Sequence, residues 1–169
     1  MSELDDLTRK LKSLDPHVRA SAAFKLGEIK DERAVPALIN VLKDKIANVS
    51  WNATWALGNI GQPAISALIR ALKHENLNMR TNAANALERI EKKNPGLVRL
   101  EDVQESLLDF IELSQNTLSA QNEAGHYYFQ ISEAVRQGRG KINMPGELSP
   151  GKPKPPKRMF RESRAVCAN

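Results

Sequence analysis

Three stretches of the 169-residue sequence align with one another: VRASAAFKLGEI (18–29), VSWNATWALGNI (49–60) and MRTNAANALERI (79–90). The second stretch begins 31 residues after the first, and the third begins 30 residues after the second. In each stretch the matched residues are Val or Met, then Ala, Leu and Ile, at intervals of four, four and three. This spacing is typical of one face of an α-helix. The sequence therefore predicts the same amphipathic helix three times.

A second series of apolar residues lies between these stretches and follows the same period. It consists of leucine pairs four residues apart: Leu7 and Leu11, Leu38 and Leu42, and Leu68 and Leu72. Each repeat is therefore expected to be a helix pair, with a short first helix and a longer second helix. Asp15 and Pro16 favour the start of the first long helix, since Asp caps helices and Pro suits the first helical turn.

The pattern resembles the HEAT repeat, especially the short subtype of phycobilisome-lyase-like proteins. The resemblance covers residues 4 to about 98 and rests on the matched residues of the three stretches, with Arg19, Gly27 and Gly58 beside them. It implies an all-α fold, a right-handed α-solenoid of about three helix pairs over residues 1–98 with the second helices on the concave face. Because such scaffolds serve many partners, the motif is specific for the fold and uninformative about the function.

Residues 99–137 depart from the repeat and are predicted to be a helical cap or extension. A helical stripe runs through 97–118, and a second amphipathic stretch covers 119–137. One continuous helix and a helical hairpin both fit this pattern, and a dimerising helix is a further alternative. The oligomeric state stays open.

Residues 138–169 are predicted to be a disordered tail, because they are rich in glycine, proline and basic residues and poor in apolar ones. Eight basic and two acidic residues give this segment a net charge of +6, so residues 1–137 are close to neutral although the whole chain carries +5. Such a tail can contact nucleic-acid phosphates without specificity. The residues predicted to make these electrostatic contacts are Lys152, Lys154, Lys157, Arg158 and Arg161.

The positions between the stripe residues of the second helices are expected to face away from the core. Both tryptophans of the chain occupy such positions, one helical turn apart. Rigid aromatic side chains with polar neighbours are typical of recognition surfaces. The predicted binding residues for a protein or peptide partner are Phe24, Trp51, Asn52, Trp55, Asn59, Asn82 and Asn85. In the alternative interpretation, the tryptophans pack over an adjacent helix or the C-terminal segment. A groove of these residues would bind by shape and apolar contact rather than by charge.

Arg19 and Arg80 occupy the same column of the repeat, with Ser50 between them. Anion binding is one interpretation of the two arginines. The favoured interpretation is a structural ladder in which each arginine bonds to acidic or carbonyl groups at a turn.

Neither a catalytic motif nor a cofactor site is predicted. The three histidines lack metal-ligand spacing, and phosphate-binding loops and nucleophile elbows are missing from the sequence. The HEAT-like deoxyhypusine hydroxylases carry repeated His-Glu pairs, whereas this chain has only His74-Glu75, at a different place in the repeat. We therefore expect a non-catalytic protein-interaction scaffold. A nucleic-acid-associated protein acting through its tail and a bilin-lyase-like accessory protein are the alternatives, the latter by fold analogy alone.

The composition and the N-terminal sequence indicate the cellular compartment. The N-terminus has no signal-peptide pattern, no apolar run is long enough for a membrane span, and Cys167 has no second cysteine to pair with. These features favour a cytoplasmic protein.

Overall fold

The computed structural model describes residues 2–115 and 117–139, and every regular element in these ranges is helical. Short 3₁₀ turns at Glu32–Ala34 and Gln62–Ala64 lead into the third and fifth helices. The helices are α1 (Glu3–Lys10), α2 (Pro16–Ile29), α3 (Val35–Val41), α4 (Ala47–Ile60), α5 (Ile65–Ala71), α6 (Leu77–Lys93), α7 (Leu100–Leu113) and α8 (Leu118–Arg139).

Polar side chains begin several of these helices by accepting hydrogen bonds from free backbone N–H groups. Ser2 and Asp5 form a capping box at α1. Asp15 accepts from the N–H of His17 at α2, as its place before Pro16 predicts. Asn76 accepts from the N–H of Met79 at α6.

The helices stack as consecutive pairs, which confirms the predicted α-solenoid. The second helices α2, α4, α6 and α8 form one layer in which each contacts the next, and α3, α5 and α7 contact one another in turn. The matched leucines Leu26, Leu57 and Leu87 are fully buried between the layers, as are Leu38, Leu42, Leu68 and Leu72. One continuous core therefore runs through the stack.

The predicted apolar stripe is correct except at its ends. Ile90 is fully buried, but Ile29, in the same column, is 41% exposed. α2 ends at Ile29, whereas α6 continues for three residues beyond Ile90. Ala20 was expected to face outward and is buried.

Residues 99–137 form a helical hairpin rather than one continuous helix. α7 ends at Leu113, and Gln115 takes a left-handed conformation with φ of 56° before α8 begins. α7 packs on α5 and α8 packs on α6, so the hairpin occupies the place of a fourth repeat. It thereby covers the end of the third helix pair.

α8 continues to Arg139 and so includes the first two residues of the predicted tail. A Cβ atom on Gly138 would lie 2.7 Å from the Cβ of Pro95, so the absence of a side chain lets α8 approach the α6–α7 loop. The buried carboxylate of Glu91 holds this loop by accepting from the N–H groups of Gly96 and Val98. The predicted tail contacts at Lys152, Lys154, Lys157, Arg158 and Arg161 lie outside the described residues and stay predictions.

Candidate functional site

A groove of about 550 Å³ lies between α4 and α6 on the layer of second helices. We call this surface the α4–α6 groove. It is lined by Trp51, Thr54, Trp55, Asn82, Asn85, Glu88, Arg89, Lys92 and Lys93. Four of the seven predicted partner-binding residues, Trp51, Trp55, Asn82 and Asn85, are among them. Phe24, Asn52 and Asn59 are not.

Trp55 is held against the neighbouring helix α2. Its ring stacks on Phe24, with ring centroids 4.7 Å apart and an angle of 11° between the planes. Gly27 makes room for this contact, because a Cβ there would lie 2.8 Å from Trp55 Cζ3 and 2.7 Å from the Cα of Ala56. The interpretation that the tryptophans pack over an adjacent helix is therefore correct for Trp55, which also lines the groove.

Trp51 has a different environment, although it is only one turn away on the same helix. Its side chain is 60% exposed, and it has no ring contact with any described residue. It lines the α4–α6 groove with its apolar surface in contact with solvent. Burial of this ring by a ligand would remove apolar surface from water, which is favourable. Trp is also among the residues that are enriched at binding hot spots.

Two of the predicted asparagines serve the fold instead of offering free amides. Asn52 is only 9% exposed, and its Nδ2 donates to the carbonyl of Asn48, 2.7 Å away in the same helix. Its assignment to the binding surface is wrong, because it precedes the buried Ala53 and lies at the edge of the core face. The Nδ2 of Asn82 donates to the carbonyl of Leu42 at 2.8 Å, which joins α6 to the end of α3.

The other two asparagines contact groove residues or neighbours. Asn85 is exposed, and its Oδ1 accepts from Nε2 of Gln130 at 2.8 Å. Asn59 does not line the groove, but its Oδ1 accepts from Nζ of Lys93 at 3.2 Å. Asn59 therefore contacts the groove only through Lys93, among the described residues.

Three cations at the C-terminal end of α6 line the groove and were absent from the predicted site. Lys92 pairs with Glu88, which also accepts from Nε2 of Gln130 at 2.5 Å. Burial raises the pKa of Glu88, but the hydrogen bonds from Lys92 and Gln130 outweigh it and the net pKa is lowered. Neither Arg89 nor Lys93 is paired with a carboxylate in the described part of the chain. The groove is therefore lined by charged side chains as well as by the expected aromatic and amide groups.

A sequence signal for these cations existed. Arg89, Lys92 and Lys93 follow the i, i+3, i+4 spacing that places residues on one helix face. The net charge of residues 1–137 is close to zero, and such a total does not reveal a local cluster of basic residues.

The favoured structural ladder of arginines is confirmed. Arg19 donates to both carboxylate oxygens of Asp44, at 2.7 and 3.1 Å, and to the carbonyls of Ser13 and Leu14. Its hydrogen bond to Asp44 raises the pKa of Arg19. The contact joins α2 to the turn before α4.

Arg80 repeats the arrangement two units later. It donates to both oxygens of Glu123 on α8, at 2.6 and 3.0 Å, and to the carbonyls of His74 and Glu75. Its guanidinium also lies over the ring of Phe110, 4.6 Å from the centroid. Ser50, in the same column, bonds only within α4, to the carbonyl of Ala47. Among the residues that the structure describes, no such ion pair therefore joins the second unit to the third.

Tyr127 anchors the hairpin beside Arg80. Its hydroxyl donates to Glu123 at 2.7 Å and lies 2.9 Å from Oγ1 of Thr81. Burial, together with the neighbouring Glu123, raises the pKa of Tyr127 to about 12 although the bond to Thr81 lowers it. The phenol therefore stays protonated at neutral pH and acts as a structural hydrogen-bond donor.

Within residues 2–115 and 117–139, His, Cys, Asp and Glu form no group of three or more that can hold a metal ion. None of the described helices is both long enough and apolar enough to cross a membrane.

The fold is that of an all-helical repeat protein with a groove on the layer of second helices. The family model of HEAT repeats matches residues 4–68, so this part of the chain is similar to HEAT repeats. The phycobilisome-lyase-like subtype stays a prediction. No curated protein matches the chain.

Solved structures similar to this chain include three crystal structures of engineered proteins from a structural genomics consortium. The identities are 21, 23 and 22%, and the TM-scores are 0.43, 0.44 and 0.43. The matches cover 83, 82 and 83% of this chain, and 69, 70 and 42% of the engineered ones.

Proposed function

We propose that this protein is a non-catalytic scaffold that binds a peptide segment of a partner protein in the α4–α6 groove. HEAT repeats generally serve as protein-interaction scaffolds, since stacked helix pairs present an extended surface. The observation that carries the proposal is Trp51, a large aromatic side chain that lines the groove and is 60% exposed.

The packing beneath the groove supports the proposal. Trp55 is clamped by its stack on Phe24, and Asn82 joins α6 to α3. The groove walls are thus held before a ligand arrives, and a preformed site loses less conformational entropy on binding.

The size of the groove favours a peptide over a folded domain. Its volume lies within the range of about 300–1,000 Å³ that is typical of sites that enclose small ligands. Such a space takes a few side chains of an extended or helical segment, with Trp51 as the central contact.

The two tryptophans provide a direct test, because the chain contains no others and both line the groove. Tryptophan fluorescence therefore reports on this surface alone. We expect peptides selected from a random library on the immobilised protein to shift the tryptophan emission on titration. Trp51→Ala should weaken their binding at least tenfold and leave thermal unfolding nearly unchanged, because its ring is mostly exposed.

Phe129→Ala is the matched control. Phe129 is an aromatic residue of α8 that is 67% exposed and does not line the groove, so binding should persist. Equal binding by wild type and Trp51→Ala, or an equal loss in both variants, would contradict the proposal.

The described residues favour neither alternative function. Nucleic-acid binding through the tail and a bilin-lyase-like role therefore stay predictions.

A further inference from the structure

We infer that the peptide taken by the α4–α6 groove is acidic: an apolar or aromatic residue packs on Trp51, and an adjacent carboxylate binds Arg89 and Lys93. This inference rests on the proposed function and adds the chemistry of the ligand. It follows from the pairing of charges in the groove, from the way Arg89 is held, and from what the other candidate occupants would require.

The charges that line the groove are unequal. Three cations face one carboxylate, Glu88, and that carboxylate already accepts from Lys92 and Gln130. Among the described residues, Lys93 is bonded only to the neutral amide of Asn59. Arg89 is exposed, and within residues 2–115 and 117–139 no hydrogen bond or ion pair involves its guanidinium. Two positive groups that line the same groove as Trp51 are thus left without a counter-charge in the described part of the chain.

Their position on one helix face increases the demand for an anion. Arg89 precedes Lys92 by three residues and Lys93 by four, and like charges at these spacings repel each other. The C-terminal end of α6 partly offsets this repulsion through its helix dipole. A carboxylate from a ligand would relieve it directly, and the guanidinium fork of Arg89 matches the two oxygens of such a group.

Arg89 is also placed for this contact by the repeat itself. Gly58 on α4 has no side chain, and a Cβ there would lie 2.5 Å from Cδ and 3.3 Å from Nε of Arg89. The stem of Arg89 therefore crosses α4 where any larger residue would displace it. The glycine brings the charge to the wall of the groove that carries the tryptophans.

Charge argues against the other occupants. Residues 140–169 of this chain hold seven basic and two acidic residues, so the groove cations would repel the segment. A single-stranded nucleic acid carries a phosphate on every nucleotide and needs a cationic track, whereas this groove offers two unpaired cations and contains Glu88. A short acidic peptide with one apolar side chain matches both the charges and the ring.

The test uses the full chain and three fluorescein-labelled probes in polarisation titrations at 50 mM and 300 mM salt. The probes are a 12-residue peptide with one central Phe among Asp and Glu, the same peptide with Lys at the acidic positions, and a 12-nucleotide oligo-dT. We expect the acidic peptide to bind at least tenfold more tightly than the Lys peptide and oligo-dT. Its affinity should fall severalfold between the two salt concentrations.

Three variants place the effect at Arg89. Arg89→Gln should weaken the acidic peptide at least fivefold, whereas Lys43→Gln, which removes the same charge from an exposed turn outside the groove, should have no effect. Gly58→Ala retains the charge but displaces the Arg89 stem, so it should also weaken binding. Equal affinities of Arg89→Gln and Lys43→Gln would overturn the inference.

The outcomes separate the inference from the proposed function. Equal binding of acidic and Lys peptides, with both lost in Trp51→Ala, would refute the acidic preference and leave the peptide groove standing. Tighter binding of oligo-dT that depends on Arg89 would overturn the inference in favour of a nucleic-acid site. A failure of every library peptide to bind would refute the proposed function itself.

Discussion

The two interfaces of α4 differ at matched positions. On the α2 side, Gly27 lets backbone meet backbone, since a Cβ there would lie 2.7 Å from the Cα of Ala56. On the α6 side, the space above Gly58 is filled by the stem of Arg89. The α2–α4 interface is closed by the Phe24–Trp55 stack and the Arg19–Asp44 ion pair, whereas the α4–α6 interface contains the groove.

The same column of the repeat therefore closes one interface and leaves a groove at the next. The two glycines lie 31 residues apart in the same column, so the local sequence is equivalent. The residue of the next helix that lies over the glycine decides whether the interface is closed or contains a groove. In the first case it is a small alanine, and in the second it is a long cationic side chain.

The largest expected effect is on the closed interface, from Trp55→Ala. This substitution removes a half-buried ring that packs between α2 and α4, and we expect a loss of about 2–3 kcal/mol in the free energy of unfolding. Trp51→Ala should lose less than about 0.5 kcal/mol, because its ring is mostly exposed. Urea denaturation of both variants measures the contrast. Similar losses in the two would mean that the rings share one environment.

Gly27→Ala should also destabilise the protein. The new methyl group meets the backbone of Ala56, which cannot move aside without separating α2 from α4. Overpacking of this kind costs about 1–3 kcal/mol, and the better helix propensity of Ala offsets up to about 1 kcal/mol. We expect a net loss of about 1–2 kcal/mol by urea denaturation. An unchanged midpoint would show that the interface is looser than its geometry indicates.

The ion pair of the closed interface predicts a pH dependence. Burial raises the pKa of Asp44, but hydrogen bonds from Arg19 and the N–H of Ile46 outweigh it, and the net pKa lies below 3.8. A carboxylate with a lowered folded-state pKa contributes its full stability above its unfolded pKa. That contribution is lost as the pH falls through the folded-state pKa. Stability should therefore decline on acidification below about pH 4.

Asp44→Asn should reduce that decline and cost about 1 kcal/mol at pH 7, because a charge-assisted pair is replaced by a neutral one. Glu28→Gln is the control, since Glu28 is exposed and pairs with no cation in the described ranges. Thermal melts from pH 7 to pH 3 compare the three proteins. An acid response in Asp44→Asn that equals the wild-type response would exclude Asp44 as its source.

The smallest effect is expected at the open interface, from Gly58→Ala. The added methyl group meets only the flexible stem of Arg89, and Ala favours the helix by up to about 1 kcal/mol over Gly. We therefore expect a change within about 0.5 kcal/mol of zero, or a small gain, by urea denaturation. A loss as large as that of Gly27→Ala would mean that the two interfaces are equally tight.

Much of the fold was predictable because helical periodicity is a local property. The spacing of the matched Ala and Leu residues predicts which face of each second helix is buried, and the leucine pairs predict the first helices. The arginine ladder was predictable as well, since both Arg19 and Arg80 lie within reach of carbonyl groups at the preceding turn.

The environment of individual outward positions was not predictable in this way. Ala20, Trp51 and Thr81 share a column, yet Ala20 is buried, Trp51 is exposed, and Thr81 lies within hydrogen-bond distance of Tyr127. Asn52 is a second example. Its angle around the helix predicts a position outside the core face, but neighbouring residues cover it. The column of a residue in the repeat predicts the direction in which its side chain leaves the helix. It does not predict which residue of the adjacent helix that side chain meets.

The amino-acid pattern alone determined the helix pairs, their order and the apolar face of each, because 3.6-residue periodicity and turn residues act over a few positions. The packing of the helices, by contrast, stacks Trp55 on Phe24, leaves Trp51 exposed and lays the stem of Arg89 across Gly58. These outcomes depend on contacts between residues about 30 positions apart. The packing of neighbouring repeats selects among side-chain positions that the local sequence leaves equivalent.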